Sequence, residues 1–158
     1  MRIGVYICRV NADVEDGANL ESVGHYVANL PQVEVVKALG VLPRLDPVEL
    51  ADEIVASELD RVVIAGDSPG FFKPAFTRAM SLAGREPGEV RLASFREHGS
   101  SGDGATERAK AIAACAVYGV PFTLAAQPAD TKWNAAALVI GGGIAGIQAA
   151  LEIADGGK

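Results

Sequence analysis

The sequence predicts an α/β fold: a mostly parallel sheet with helices on both faces. Three observations predict it. Short apolar runs rich in β-branched residues alternate along the chain with stretches of helical spacing. No two of these runs sit side by side as a hairpin, so crossover helices must connect parallel strands. The last run passes through a glycine-rich turn into an Ala-rich stretch of helical character.

Each element follows from its residues. Residues 2–8 (RIGVYIC) form a strand that is short, β-branched and aromatic, with polar flanks. Leu20, Val23, Val27, Ala28 and Leu30 recur at helical spacing, with Asn19 as N-cap and Pro31 as the stop. Residues 33–39 (VEVVKAL) make the second strand. Asp46-Pro47-Val48-Glu49 opens a helix with a capping carboxylate, a proline where no donor is needed, and an acid in the first turn. Leu50, Ile54 and Val55 supply its apolar side. Residues 61–66 (RVVIAG) are the third strand, ending in the turn Asp67-Ser68-Pro69-Gly70. Phe76, Ala79, Met80 and Ala83 mark a helix after Pro74, closed by Gly84. Residues 90–95 (VRLASF) are the fourth strand, and the loop from His98 to Gly104 leads into a helix over 105–118. Pro121, Pro128 and the polar stretch between them form a connector, in which Lys132 and Trp133 have packing roles. Residues 135–140 (AAALVI) are predicted as a fifth strand, and 144–154 begin a further helix.

Composition narrows the function classes. The 158 residues suffice for one ordinary globular domain, and 49% hydrophobic content with a mean hydropathy of +0.22 excludes a disordered chain. No apolar run reaches the roughly 20 residues of a membrane helix. The start, Met-Arg-Ile-Gly-Val-Tyr-Ile, is too short and strand-like for a signal peptide, so the expectation is a cytoplasmic protein. Twenty acidic residues against fourteen Lys plus Arg give a net charge of −6, which argues against nucleic acid and anionic membranes as partners. Cys8 and Cys115 are too few for a disulfide framework or an all-cysteine metal site within the chain.

The most specific local signal is Gly141-Gly142-Gly143-Ile144-Ala145-Gly146, a G-x-G-x-x-G turn between predicted strand and helix. Gly141 permits the tight turn, Gly143 lets the backbone approach a pyrophosphate, and Gly146 allows close packing of the helix. The helix N-terminus then offers free N–H groups to phosphates. These six residues are the predicted cofactor-binding segment, the first βα arm of an FAD/NAD(P)-binding Rossmann-like domain. Such a unit supplies a ribose-binding acid about 20 residues later. The sequence ends at Lys158, and Glu152 and Asp155 lie within the helix, so the site is expected to be incomplete. The predicted organisation is an α/β domain over 1–120, a linker over 121–134, and an incomplete Rossmann-like segment over 135–158.

The sequence resembles the A subunit of heterodisulfide reductase, the flavin-containing iron–sulfur component of that enzyme in methanogens and other anaerobes. The carrying segments are Arg2-Ile3-Gly4-Val5-Tyr6-Ile7-Cys8, Arg61-Val62-Val63-Ile64-Ala65, Ser68-Pro69, Phe76-Thr77-Arg78-Ala79, Arg96-Glu97-His98, Ala105-Thr106-Glu107-Arg108-Ala109-Lys110, and ALVIGGGIAGIQAALE over 137–152. The resemblance implies an oxidoreductase with FAD and [4Fe–4S] clusters, working in a complex with other subunits. It also implies that residues 1–158 are the N-terminal piece, reaching the start of the FAD domain. The departures concern cysteine. The family commonly reads Cys-x-Cys where this chain has Cys8-Arg9-Val10, and Cys-Ser-Pro where it has Asp67-Ser68-Pro69. It often carries a further cysteine where Val41 to Pro47 has none, and another where Gly99 follows Arg96-Glu97-His98. A [4Fe–4S] cluster takes about four thiolates. Cys8 alone remains as a candidate metal ligand, so a cluster is not expected.

Other residues carry bland readings. Cys8 and Cys115 are expected as small core residues, His25 as a solvated or packing residue, and Gly99–Gly104 as a flexible loop without the Gly-Lys-Ser/Thr of a phosphate loop. His98 and Asp67 stand at strand carboxyl ends, the usual place for ligand contacts. One carboxylate without a partner is no acid–base pair. Three functions stay open: part of a flavin-dependent electron-transfer complex, a non-catalytic remnant that docks partner subunits, and a small nucleotide-binding protein. The first is the family function; the second describes the polypeptide by itself.

Overall fold

The two central strands, over 3–9 and 61–66, are buried on both sides, so the middle of the sheet needs helices above and below. In the computed structural model, residues 1–10, 17–119 and 136–157 are described. They fall in two units, Met1–Ala126 and Gln127–Lys158.

The first unit holds strands β1 (Ile3–Arg9), β2 (Val33–Val41), β3 (Arg61–Gly66) and β4 (Val90–Ser94). They form one all-parallel sheet in the order β2-β1-β3-β4. Between and after them run α1 (Leu20–Ala28), α2 (Pro47–Ala56), α3 (Lys73–Leu82) and α4 (Ala105–Tyr118). Alternation along β1 sorts the core. Ile3, Val5 and Ile7 pack with Val23 and Val27 of α1 and with Ala105, Ala109, Ala113 and Val117 of α4. Tyr6 and Cys8 pack on the other face with Leu50 and Ile54 of α2 and with Phe76 and Met80 of α3.

The predicted caps form. The Asn19 side chain accepts the Ser22 N–H at 2.9 Å, and Asp46 accepts the Val48 N–H at 2.8 Å. Gly84 closes α3 in the left-handed region (φ +67°), its N–H bonded to the Ser81 carbonyl. β2 runs two residues beyond the predicted 33–39. β4 stops at Ser94, although the Phe95 N–H still donates to the Gly66 carbonyl at 2.8 Å.

Two expectations are corrected. Ala136–Ile140, the described part of the predicted fifth strand, has no regular structure. Leu138 and Ile140 are 84% and 88% exposed, and a strand exists only where a neighbour completes its ladder. Cys115 is not a core residue but exposed. The buried stripe of α4 is Ala105, Ala109, Ala113 and Val117, and Cys115, two residues past Ala113, falls on the opposite side of the helix. The connector residues Pro121, Pro128, Lys132 and Trp133 lie outside the described residues.

In the second unit, α5 (Ile144–Asp155) follows the glycine-rich turn.

Candidate functional site

Chain order reverses at β1: β2 lies on one side of it and β3 on the other. At such a reversal the loops leave the strand ends in opposite directions and open a crevice, where ligands bind in parallel α/β sheets. A cavity of about 180 Å³ lies there. Arg9 from the end of β1, Asp67 after β3, and Phe95, Arg96, Ser100 and Ser101 after β4 line it, with Ala18 and Leu20 at the start of α1.

The loop after β4 is braced. The Ser100 N–H donates to the Phe95 carbonyl at 2.8 Å, and Ser101 makes a bridge with Gly17. Arg108 of α4 donates to the Gly99 carbonyl at 2.9 Å and to the Ser101 carbonyl at 2.6 Å. The loop expected over 99–104 is therefore tied down at both ends. Across the crevice, Asp67 accepts the Val10 N–H at 3.2 Å.

Cys8 stands one residue before Arg9, but its side chain belongs to the opposite face, packed with Tyr6, Leu50 and Phe76. It is 1% exposed. Burial pushes the thiol from 9.0 to about 12, and the Asp67 carboxylate adds to the rise. A thiol held protonated is a poor metal ligand. Among the described residues no cluster of three His, Cys, Asp or Glu is placed to hold a metal. The positions where the resemblance leads one to look for cysteine, Val10, Asp67 and Gly99, all stand at the carboxyl ends of β1, β3 and β4. The residues present there do not fit a [4Fe–4S] cluster, since none of the three carries a thiol and Cys8 faces away. His98 is exposed, its Nδ1 2.7 Å from the Ser94 carbonyl oxygen; His25 is exposed on α1.

The glycine-rich turn has its own geometry. Gly141 has φ +113°, which a side chain would strain. A Cβ on Gly146 would overlap the Gly141 carbonyl oxygen, so the third glycine lets the first turn of α5 close over the loop. Around Gly142 and Gly143 a Cβ would meet nothing within 4 Å, leaving the backbone open to a ligand. No side chain caps α5, whose first intrahelical bond runs from the Ile147 N–H to the Gly143 carbonyl at 3.0 Å. Its leading N–H groups are thus available to a pyrophosphate. The turn at glycines 141, 143 and 146 and the first-turn N–H groups of Ile144 and Ala145 would fit that group.

No protein-family model matches the chain. Similarity to known proteins is nonetheless continuous along it. The A subunit of the H(2):CoB-CoM heterodisulfide,ferredoxin reductase of Methanothermobacter marburgensis is 36% identical over 99% of this chain. This chain belongs to the heterodisulfide reductase A-subunit family. One of the CoB--CoM heterodisulfide reductase iron-sulfur A subunits of Methanopyrus kandleri is 33% identical over 99% of the chain. A protein of Archaeoglobus profundus, named as similar to the heterodisulfide reductase A subunit, is 34% identical over the same share. The chain spans about a quarter of the length of these relatives. The crevice at the carboxyl ends of β1, β3 and β4 is lined by Arg9, Arg96, Ser100 and Ser101 together with Asp67. Arg9 and Ser100 had no motif to announce them, and Arg96 stood out only as part of the segment Arg96-Glu97-His98; what they share is position, at or after a strand's carboxyl end.

Proposed function

We propose that residues 1–158 are the N-terminal piece of a flavin and iron–sulfur electron-transfer oxidoreductase component, like the A subunit of heterodisulfide reductase. The observation that carries this reading is similarity to these A subunits along 99% of the chain, running through the glycine-rich turn. Gly141, Gly142, Gly143, Ile144, Ala145 and Gly146 hold the pyrophosphate of FAD, with Gly143 at the point of closest backbone approach. Bound FAD supplies the exchange of electron pairs for single electrons. This chain's contribution is to seat the pyrophosphate against the α5 N-terminus. The relatives are named as subunits, and we extend that here: this chain works with other subunits of such a complex in the cytoplasm, without nucleic acid. No described helix is long and apolar enough to cross a membrane.

No cluster is held by this chain's own cysteines. The packing of Cys8 also favours a second reading, in which the α/β unit serves as a docking module that has lost its ligands. Iron analysis after expression with iron and sulfide tests the point. Stoichiometric iron with broad visible absorbance, abolished by Cys8→Ala, would overturn it.

The turn reaches only the pyrophosphate, and a partial site gains little over the several kcal/mol of freedom lost on binding. The 158-residue chain should therefore bind FAD weakly or not at all in a calorimetric titration. Joined to the continuation from a full-length relative, it should purify yellow, and Gly143→Val should bleach it. The surroundings of Gly143 are open and its φ is −74°, so that substitution leaves folding intact and reports on the ligand. Micromolar or tighter FAD binding by the 158-residue chain would refute the partial site. Yellow Gly143→Val protein would refute the role of the turn.

A further inference from the structure

We propose that the crevice at the carboxyl ends of β1, β3 and β4 binds a small phosphomonoester, independently of the flavin site. Four observations carry it. The cavity of about 180 Å³ lies at the point where strand order reverses and suits a small ligand. Arg9 at the end of β1 and Arg96, two residues past β4, line it, and neither is in an ion pair among the described residues. Ser100 also lines it at 6% exposure, and its hydroxyl has no hydrogen-bond partner among the described residues. A buried hydroxyl left unpaired is unfavourable, so its retention points to a group that completes it. The loop carrying Ser100 and Ser101 is held by the Arg108 guanidinium and by the bridge to Gly17, so the hydroxyl groups are positioned before any ligand arrives.

The charges decide the ligand class. Two planar, permanently charged forks match a phosphate dianion better than a single carboxylate, and arginine bonds phosphate oxygens in pairs. Asp67 also lines the crevice and accepts the Val10 N–H at 3.2 Å, so its negative charge disfavours a ligand with a second anionic group. Ala18, Leu20 and Phe95 supply apolar wall for a short carbon stem. The ligand is therefore a phosphomonoester with one anionic end and a short stem.

The test uses the purified 158-residue chain, titrated at constant ionic strength with inorganic phosphate and, separately, with acetate. The readout is the amide chemical shifts of Ser100 and Ser101. Phosphate should give saturable shifts and acetate much weaker ones. Arg9→Gln, Arg96→Gln and Ser100→Ala should each weaken phosphate binding, the arginine variants by about tenfold. Arg78→Gln, an exposed arginine outside the crevice, should leave it unchanged. Equal binding by Arg96→Gln and the parent protein, or no saturation by phosphate, would overturn the proposal. Acetate binding as tightly as phosphate would overturn the assignment of a phosphomonoester.

Discussion

The two thiols of this chain should differ in reactivity by orders of magnitude. Cys8 is 1% exposed and its thiol is raised from 9.0 to about 12, whereas Cys115 is exposed on α4. At pH 8 a thiol at about 12 is roughly one part in ten thousand thiolate, so Cys8 offers almost no nucleophile while it stays buried. Steric burial widens the gap. Brief iodoacetamide treatment of the native chain, followed by peptide mass spectrometry, should label Cys115 and leave Cys8 unmodified until the fold opens. The same shift makes stability pH-dependent. A thiol whose value is raised on folding binds its proton more tightly in the native state. Its contribution is complete below 9.0 and is lost as pH rises from there towards about 12. The unfolding free energy should therefore fall above pH 9, with a slope approaching about 1.4 kcal/mol per pH unit from this group. Tyr6, raised by burial and by the neighbouring Glu53 carboxylate, adds to the fall above pH 10. Cys8→Ala should remove the thiol part of that slope. Native labelling of Cys8 as fast as Cys115 would refute the reasoning, because it would require an activated or accessible thiol of the kind a metal ligand or redox residue needs.

Arg61→Ala should cost about 3 kcal/mol, because the 11%-exposed guanidinium bonds Glu89 at 2.6 Å and the Val117 carbonyl at 3.0 Å, and its removal strands the carbonyl and leaves Glu89 only the longer contact to Arg91 at 3.4 Å. In urea the midpoint should fall by roughly 2 M, and a loss below about 1 kcal/mol would mean that the pair behaves as a surface pair. Gly66→Ala should lower the melting temperature by roughly 10 °C or prevent folding, since its Cβ would overlap the Cys8 carbonyl oxygen between β1 and β3. Gly70→Ala, with open space around it, is the control and should melt like the parent.

Local sequence dictates the alternation of strands and helices in the first unit, its caps and its glycine stops. Those features depend on neighbours within about four residues: Asn19 reaches Ser22, Asp46 reaches Val48, and Gly84 closes on Ser81. The glycine spacing at 141, 143 and 146 was legible for the same reason, because Gly146 meets Gly141 only five residues away. The buried phase of α4 was present in the sequence but faint. Its stripe is three alanines and a valine, so hydrophobicity did not separate Cys115 from the core. Residues 135–140 show the limit of local reading: their apolar run is strand-like, yet a strand requires hydrogen-bond partners that composition cannot supply. The crevice is a product of long-range packing. Arg9, Asp67, Arg96 and Ser100 span 91 residues of sequence, and only the reversal of strand order at β1 brings them to one cavity. Cys8 and Arg9 are adjacent in the chain but face opposite sides of the sheet. The pleat sends the thiol into one core layer, while Arg9 lines the crevice on the other face.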